Sequence, residues 1–544
     1  MDRRTFLKGA RAKTITLATN MPRGLQSGLD PYTGPWTTNE VAHLLKRAMF
    51  GAKKSDIDYF LSRSCSDAVD ELLQNIPAVD PPLRDYGVLE DQGIMYEDTA
   101  VPRGQTWVDD LNNTINDPGR RAAINSARIE SLRRWWTGLI LNQNRSINEK
   151  MVMFWHHHFS VQREEVNNAT HLYRHHNLLR NNVLGNVREL AKKVTVDPAM
   201  LLHLNGYLNS KRAPDENYAR ELQELFTVGK GNDSLYTESD VIEAAKALTG
   251  WRIHNTTLTA YLNTEEHDMS TKRFSAFYHN ATITGSANGS QEVDQLIDMI
   301  FSTTESARFI CRKLYKWFVY YDIDAFAESN VIAPLAEILR QNDFQVSAAL
   351  SVLLKSEHFF DKQNQACYIK SAFDFVAGAL RELDISIPAY TDYENGYPLF
   401  DSICERAAQM QQDLFQPPDV SGWPSYYQEP MYYELWVNSN TLPRRAAFTD
   451  ALIEDGLVDL RGLAQRSANP ADPNQLISDL CELLLRYPLS SNSRNYIKTN
   501  FLLEPSGNDS SWTNTWNAGS AAVINEKLGN ALRFIMNLPE FHLC

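Results

Sequence analysis

Hydrophobic and polar positions follow the period of an α-helix along most of this chain. A capping-box pattern, Thr37 to Glu40, precedes an apolar stripe with helical spacing: Val41, Leu44, Leu45 and Ala48. Similar stripes predict helices at residues 120–142, 167–184, 216–228, 237–250 and repeatedly after 290. Ser146 and Glu149 predict a second capping box, at the start of a helix that ends in three histidines. The fold class expected is therefore mainly α, a large multi-helix array.

Two segments lack this period. Residues 76–119 are rich in Pro, Asp and Gly and predict a long irregular connection or lid. Around 252–285, Thr, Tyr, Asn and Phe dominate, which predicts a small insert of one or two β-hairpins or a long ordered loop. The helical domain, 36–544, then divides into two lobes, 36–290 and 291–544, the second with an aromatic-rich loop near 416–436.

Residues 1–35 predict a degenerate export leader or a flexible N-terminus. Arg3 and Arg4, followed by Phe6, Leu7 and Lys8, are typical of a twin-arginine signal. The apolar segment that should follow is weak, because Arg11 and Lys13 interrupt it. A periplasmic or extracellular location is expected, and a cytoplasmic one stays open.

Composition narrows the classes of partner. A formal net charge of −14 over 544 residues argues against a nucleic-acid-binding surface, which would be basic. No apolar run reaches the length of a membrane span, so none is expected. The 6 cysteines are scattered without metal-ligand spacing.

Histidines crowd one part of the chain. Of 13 histidines, seven lie between positions 156 and 203, including the triple that follows Trp155. In a regular helix His156 and His158 point to different sides, since each residue turns the helix by about 100°. If the helix ends at Trp155, an extended chain brings the two rings to the same side. The sequence leaves both alternatives open.

Carboxylates crowd the helix expected at 216–228. Glu216 and Arg220 have the spacing of a favourable ion pair, and Glu221 and Glu224 are spaced to present two carboxylates to a cation. We therefore expect a divalent metal, with the candidate ligands His156, His158, Glu216 and Glu221. The candidate catalytic residues are Glu221, Arg220 and His156.

Aromatic and basic residues supply the candidates for ligand binding. Trp155, Trp251 and Trp423 are the candidate substrate-binding residues, and tyrosines crowd the chain just after Trp423. A later helix carries a cationic face suited to an acidic partner or substrate: Arg308, Arg312, Lys313 and Lys316.

Several motifs, each weak alone, resemble the bacterial DUF1800 family when taken together. They begin at His43, Phe154, Asp197, Glu216, Ala247, Ala307, Gln416 and Pro539 and come in the family's order. Its Trp-His-x-His-Phe motif falls on Trp155, His156, His158 and Phe159. Asp215 replaces an Asn of the family pattern, and His203 and Asn205 stand where Tyr and Asp are usual.

The resemblance implies an α-helical protein, often with a twin-arginine leader and of unsettled activity. The family is commonly encoded beside a second uncharacterised family that resembles exported sulfatases, which implies a partner protein encoded nearby.

Two hypotheses follow. The first is an exported metal-dependent enzyme that hydrolyses or modifies an extracellular glycan, with metal-bound water as nucleophile. The second is a non-catalytic binding or assembly protein of the bacterial envelope, in which the same polar cluster is structural. Haem ligation by a histidine is a weaker third, because the chain has no CxxCH. No GxSxG, Walker, GxGxxG or HExxH pattern defines a reaction type.

Overall fold

A computed structural model of the chain describes residues 24–74, 78–91, 93–112, 115–231, 234–503 and 507–544. The twin-arginine pattern and most of the expected leader, 1–35, lie outside the described residues. Residues 28–32 run beside residues 355–358, where the Tyr32 N–H donates to the Lys355 carbonyl at 2.8 Å.

Helices fill the first half of the chain. Their bounds are α1 Thr38–Ala48, α2 Lys54–Leu61, α3 Cys65–Gln74, α4 Pro118–Leu141, α5 Asn148–His158, α6 Arg163–Val166, α7 Ala169–Asn181, α8 Val187–Thr195, α9 Pro198–His203, α10 Glu216–Glu221 and α11 Glu238–Ala247. Helix α10 continues into a π-helical turn, Leu222–Thr227.

The second half is also helical. Its helices are α12 Gly289–Phe301, α13 Thr304–Phe318, α14 Ala325–Ala327, α15 Ala333–Gln341, α16 Val346–Leu354, α17 Glu357–Phe360, α18 Ala372–Glu382, α19 Gly396–Gln409, α20 Thr441–Glu454, α21 Leu460–Ala464, α22 Pro473–Leu484, α23 Ser491–Ile497, α24 Asp509–Ala518 and α25 Ala521–Met536. The 3-10 turns Pro424–Tyr426 and Tyr432–Trp436 interrupt the aromatic-rich loop.

The β-structure described consists of three antiparallel two-stranded sheets. They pair β1 Leu89–Asp91 with β2 Ile94–Tyr96, β3 Trp251–Ile253 with β4 Ala260–Leu262, and β5 Lys272–Arg273 with β6 Thr282–Ile283. Two of these sheets form the insert expected around 252–285. The mainly α fold class with a small β insert is therefore confirmed.

Local capping explains where some helices begin. Thr37 caps α1, and Glu40 completes the expected box. The expected box at Ser146 and Glu149 is wrong: the residue before α5 is Ile147, which has no side-chain cap. Glu149 instead accepts two hydrogen bonds from Arg180, both at 2.7 Å, because the two side chains are buried together.

One continuous hydrophobic core holds the helices together, with members from Val41 to Phe541. Helix α4 packs along α19, and α8 packs against α12, so elements from both sides of residue 290 share it. The division into two lobes stays a prediction. Among the described residues, no helix combines the length and apolar content needed to cross a lipid bilayer.

Candidate functional site

Helix α5 stays regular through the histidine triple. It ends at His158, and Phe159 is its C-terminal cap. Of the two geometries that the sequence left open, the structure has the regular helix, so His156 and His158 point to different sides. The two rings therefore contact different parts of the molecule.

His156 and His157 accept hydrogen bonds from the backbone of the loop around residue 420. The Phe415 N–H donates to His156 Nε2 at 3.2 Å, and the Trp423 N–H donates to His157 Nδ1 at 3.1 Å. Both imidazoles are buried. Each ring thus satisfies a backbone donor that would otherwise be buried without a partner.

The third histidine holds the π-helical turn. His158 Nε2 lies 3.0 Å from the Phe226 carbonyl oxygen. Because a carbonyl only accepts, the proton sits on Nε2. Burial first, and then the nearby Lys313 charge, lower the pKa of His158 to about 3, so the ring is neutral at ordinary pH.

Glu216 and Arg220 lie on the outer side of α10. Arg220 pairs with Glu216 at 2.9 Å and with Glu238 at 2.7 Å. The side chains of Arg220 and Glu216 are 35% and 42% exposed. The predicted ion pair is present, and it faces solvent rather than the histidines.

Glu221 is half-buried at the end of α10. Its pKa is raised, first by burial and then by the charge of Glu224, and Asp419 acts in the same direction. Burial and the charges of Glu224 and Asp419 thus all favour the protonated form of Glu221.

The four candidate metal ligands are not brought together. His156 faces Phe415, His158 faces Phe226, and Glu216 faces solvent. Over the described ranges, no group of three or more His, Cys, Asp or Glu side chains is placed to hold a metal ion. The divalent metal, and the catalytic roles given to Glu221, Arg220 and His156, stay predictions.

The three candidate tryptophans lie in the interior. Trp155, Trp251 and Trp423 are 0%, 6% and 1% exposed. The Trp155 indole N–H donates to the Val183 carbonyl at 2.9 Å. Their part in substrate binding stays a prediction, and it has no support from this placement.

A cavity opens near the histidine triple, since Phe309 and Tyr426, which line it, contact the rings of His158 and His157. Its volume is about 500 Å³, and it lies between the end of the π-helical turn, α13 and the aromatic-rich loop. We call it the tyrosine–lysine cavity, and its side chains of interest are Glu224, Lys313, Lys316, Tyr426, Tyr427 and Tyr432.

Gly229 forms part of the wall of this cavity. Its φ is +89°, and an added Cβ would lie 2.7 Å from the Phe309 ring. Glycine therefore serves both the backbone conformation and the close approach of α13.

Two of the cations at the cavity are engaged by neighbours. Arg312 binds both carboxylate oxygens of Glu328, at 2.7 and 2.9 Å, and also pairs with Glu305. Lys316 Nζ donates to the Tyr432 hydroxyl oxygen at 3.2 Å and lies 4.7 Å from the centre of that ring.

Lys313 differs from these two. Within the part of the chain that the structure describes, it makes no hydrogen bond or ion pair, and its ammonium lies 5.3 Å from the centre of the Phe309 ring. Burial lowers the pKa of Lys313 to about 8, and the charge of Lys316 acts in the same direction. The cavity wall thus carries a cation without an anion.

A wider opening of about 940 Å³, between α3, α7 and α16, offers less chemistry. Its charged side chains are both paired: Asp70 with Lys355 at 2.6 Å, and Arg180 with Glu149 at 2.7 Å. We therefore place the candidate site in the tyrosine–lysine cavity.

Sequence reasoning noted the parts of this cavity without placing them together. The cationic face of α13, the tyrosines after Trp423 and the carboxylate Glu224 were three separate patterns. No local signal tells that they meet, because they belong to segments far apart along the chain.

Comparison with known proteins gives a family and no further relatives. A family model described as a protein of unknown function, DUF1800, matches residues 43–543. No curated protein and no solved structure matches significantly.

Proposed function

This chain belongs to the DUF1800 family, whose function is unknown, and on that premise we propose that it is an exported enzyme that acts on an acidic glycan. The ligand would bind in the tyrosine–lysine cavity through its anionic group. Substrate, reaction and export all belong to the proposal.

The observation that carries this proposal is that Lys313 has no anionic partner among the described residues. A half-buried ammonium without a counter-charge loses hydration and gains nothing in return. A carboxylate or sulfate group of a ligand would supply the missing partner through a charge-assisted hydrogen bond. The adjacent Lys316 adds a second positive charge on the same wall.

The tyrosines support a sugar as the rest of the ligand. Tyr427 is half-buried, and its hydroxyl donates to Asp419 at 2.8 Å, which holds the ring in place. Tyrosine combines an apolar ring face with a polar hydroxyl, as sugar recognition requires. A volume of about 500 Å³ falls in the usual range of small-molecule sites.

Two groups support chemistry rather than binding alone. With a pKa of about 8, Lys313 is in part unprotonated near neutral pH and suits a general base. Glu224 lines the same cavity, and Lys230, itself 76% exposed, pairs with it at 3.0 Å. An amine that can take up a proton and a carboxylate in one cavity are usual components of acid–base catalysis.

A metal is not needed for this proposal, and metal dependence stays a separate prediction that elemental analysis of the purified chain checks. Export rests on Arg3 and Arg4 alone, and cell fractionation checks it.

A binding or assembly protein is the second candidate. The observation that favours it is the use of the histidine triple and of the Glu149–Arg180 pair to join helices, as a structural polar cluster would. In that case the cavity binds its ligand without turnover.

Calorimetric titration tests the proposed ligand class. We expect D-glucuronate to bind and D-glucose to bind at least about tenfold more weakly, since only the acid pairs with Lys313. The Lys313→Met variant should lose about tenfold in glucuronate affinity. Lys193→Met, which changes an exposed lysine on α8, should not.

Equal binding by wild type and Lys313→Met would overturn the ligand class. Release of reducing ends from uronate oligosaccharides, lost in Lys313→Met, would separate the enzyme from the binding protein.

A further inference from the structure

The surroundings of Lys313 are unusual for a lysine. One turn before it on α13 lies Phe309, and one turn after it lies Lys316. The ammonium lies 5.3 Å from the centre of the Phe309 ring, which in turn lies 6.2 Å from the centre of the His158 ring. Lys313 thus adjoins aromatic side chains and also lines the cavity.

The carboxylates around the cavity pair or hydrogen-bond with groups other than Lys313. Glu305 and Glu328 pair with Arg312, so they neutralise that guanidinium. Glu429 accepts a hydrogen bond from the Tyr432 hydroxyl at 2.7 Å. Glu224 pairs with Lys230. The charge of Lys316 acts on Lys313 in the same direction as burial, and both favour the neutral amine.

Two other buried lysines do have an acidic partner. Lys46 lies 2.8 Å from a Glu382 carboxylate oxygen, and Lys272 lies 2.6 Å from one of Glu292. Each of those two lysines thus has a carboxylate partner at ion-pair distance, whereas Lys313 has none among the described residues. A lysine beside a second cation, without an acid and in a partly apolar wall, is the arrangement that makes an amine nucleophilic.

We propose that Lys313 is a nucleophilic amine that forms an imine with an aldehyde or ketone bearing a nearby anionic group. This inference rests on the proposed function, because the same cavity receives the ligand. The open-chain form of an acidic sugar and a short oxo acid both have this chemistry. The anionic group, attracted by both lysines, would stay with Lys316 once Lys313 loses its proton and reaches the carbonyl carbon.

The step balances without a further reactant. The amine lone pair attacks the carbonyl carbon, a C–N bond forms as the C=O π bond breaks, and one nitrogen proton passes to the oxygen to give a carbinolamine. The remaining nitrogen proton then passes to the hydroxyl group as the C–O bond breaks, so water leaves and a C=N bond forms, which gives the imine. One carbonyl compound and one amine thus yield one imine and one water.

Reductive trapping on the full chain tests the inference. Glyoxylate, an aldehyde with a carboxylate, is added with borohydride near neutral pH, and peptides are mapped by mass spectrometry. We expect N-carboxymethyl-lysine at Lys313 at a level at least about tenfold above Lys316, Lys230 and Lys193, because its amine lines the cavity beside an aromatic ring and has no hydrogen-bond or acid partner among the described residues. Even labelling of all four lysines would overturn the inference.

Two outcomes of the binding and trapping measurements separate this inference from the proposed function. Glucuronate binding without preferential trapping at Lys313 would leave the proposed function and remove the imine. Preferential trapping without glucuronate binding would remove the glycan and leave the nucleophile.

Variants extend the test. Lys313→Arg keeps a positive charge but cannot form an imine, so the adduct should vanish while glucuronate binding falls less than in Lys313→Met. Lys193→Arg is the matched control and should keep the adduct at Lys313. The wild-type peptide map decides the matter even where a Lys313 variant fails to fold.

Discussion

His157 and Gly422 form one tight contact between α5 and the loop that carries the cavity tyrosines. Gly422 has a φ of +86°, and an added Cβ would lie 2.0 Å from His157 Nδ1. The His157 ring in turn packs against Tyr426, with ring centres 4.8 Å apart. A single glycine therefore controls how closely the loop approaches the histidine triple.

Replacement of Gly422 by alanine should be costly. The new Cβ would overlap His157, and alanine is strained at this φ, so we expect a loss of about 3 kcal/mol in the free energy of unfolding. Gly456→Ala is the matched control, since Gly456 has a φ of +67° and nothing within 4 Å of an added Cβ. It should lose about 1 kcal/mol. Urea titration of both variants measures the difference, and equal losses would contradict the contact.

Elements of the structure decide the positions of the site residues. The π-helical turn after α10 gives its last residues an i to i−5 pattern, in which the Val228 N–H donates to the Gln223 carbonyl at 2.9 Å. The Phe226 carbonyl then accepts from His158 instead of from a later N–H of the same helix. The turn places Glu224 on the cavity wall, and such turns are frequent at functional sites.

Loss of the His158 hydrogen bond should weaken this junction. His158→Leu removes the donor while it keeps an apolar side chain, so the Phe226 carbonyl is left buried without a partner. We expect a loss of about 1–3 kcal/mol in the free energy of unfolding, measured by chemical denaturation. His254→Leu, at an exposed position, should change stability by less than about 0.5 kcal/mol. A loss that appears only when a divalent metal is present would instead favour the predicted metal site.

The whole molecule contains many histidines that are buried and neutral. Burial is the first cause that lowers the pKa in each of the following: His43, His156, His157, His158, His171, His176, His203 and His542. His267 is an exception, because its hydrogen bond to Glu292 raises its pKa. These eight histidines therefore resist protonation in the folded state.

Acid should unfold the protein below pH 6.5. In the unfolded chain these histidines take up protons near their ordinary pKa, and in the folded chain they do so only at lower pH. The unfolded state then binds more protons, so the stability is complete above pH 6.5 and falls as the pH drops. Each such histidine contributes a loss of about 1.4 kcal/mol per pH unit, against a total stability of about 5–15 kcal/mol.

Tryptophan fluorescence and circular dichroism between pH 7.5 and 4 measure this transition. We expect a midpoint between about pH 6 and 4. His176→Phe removes a buried ring whose two nitrogens have no hydrogen-bond partner among the described residues, so it should move the midpoint to lower pH. His254→Phe should not. A folded protein at pH 4 would contradict the argument.

The sequence by itself determined the fold class, the β insert around 252–285 and most of the helices. These follow from helical periodicity and capping, which depend on residues within a few positions of each other. The box at Thr37 and Glu40 could be recognised because both partners are local. Ser146 and Glu149 show the same pattern, but Arg180, which is distant in sequence, binds Glu149 instead.

Only the tertiary structure decided which side chains meet. Periodicity shows that Lys313 shares a face with Lys316, but not that Tyr426 and Glu224 line the same cavity. It also left open whether His156 and His158 cooperate, and packing gave each ring a different backbone partner. The physical reason is that side-chain direction along a helix is set locally, whereas what fills the space in front of it depends on helices contributed by distant parts of the chain.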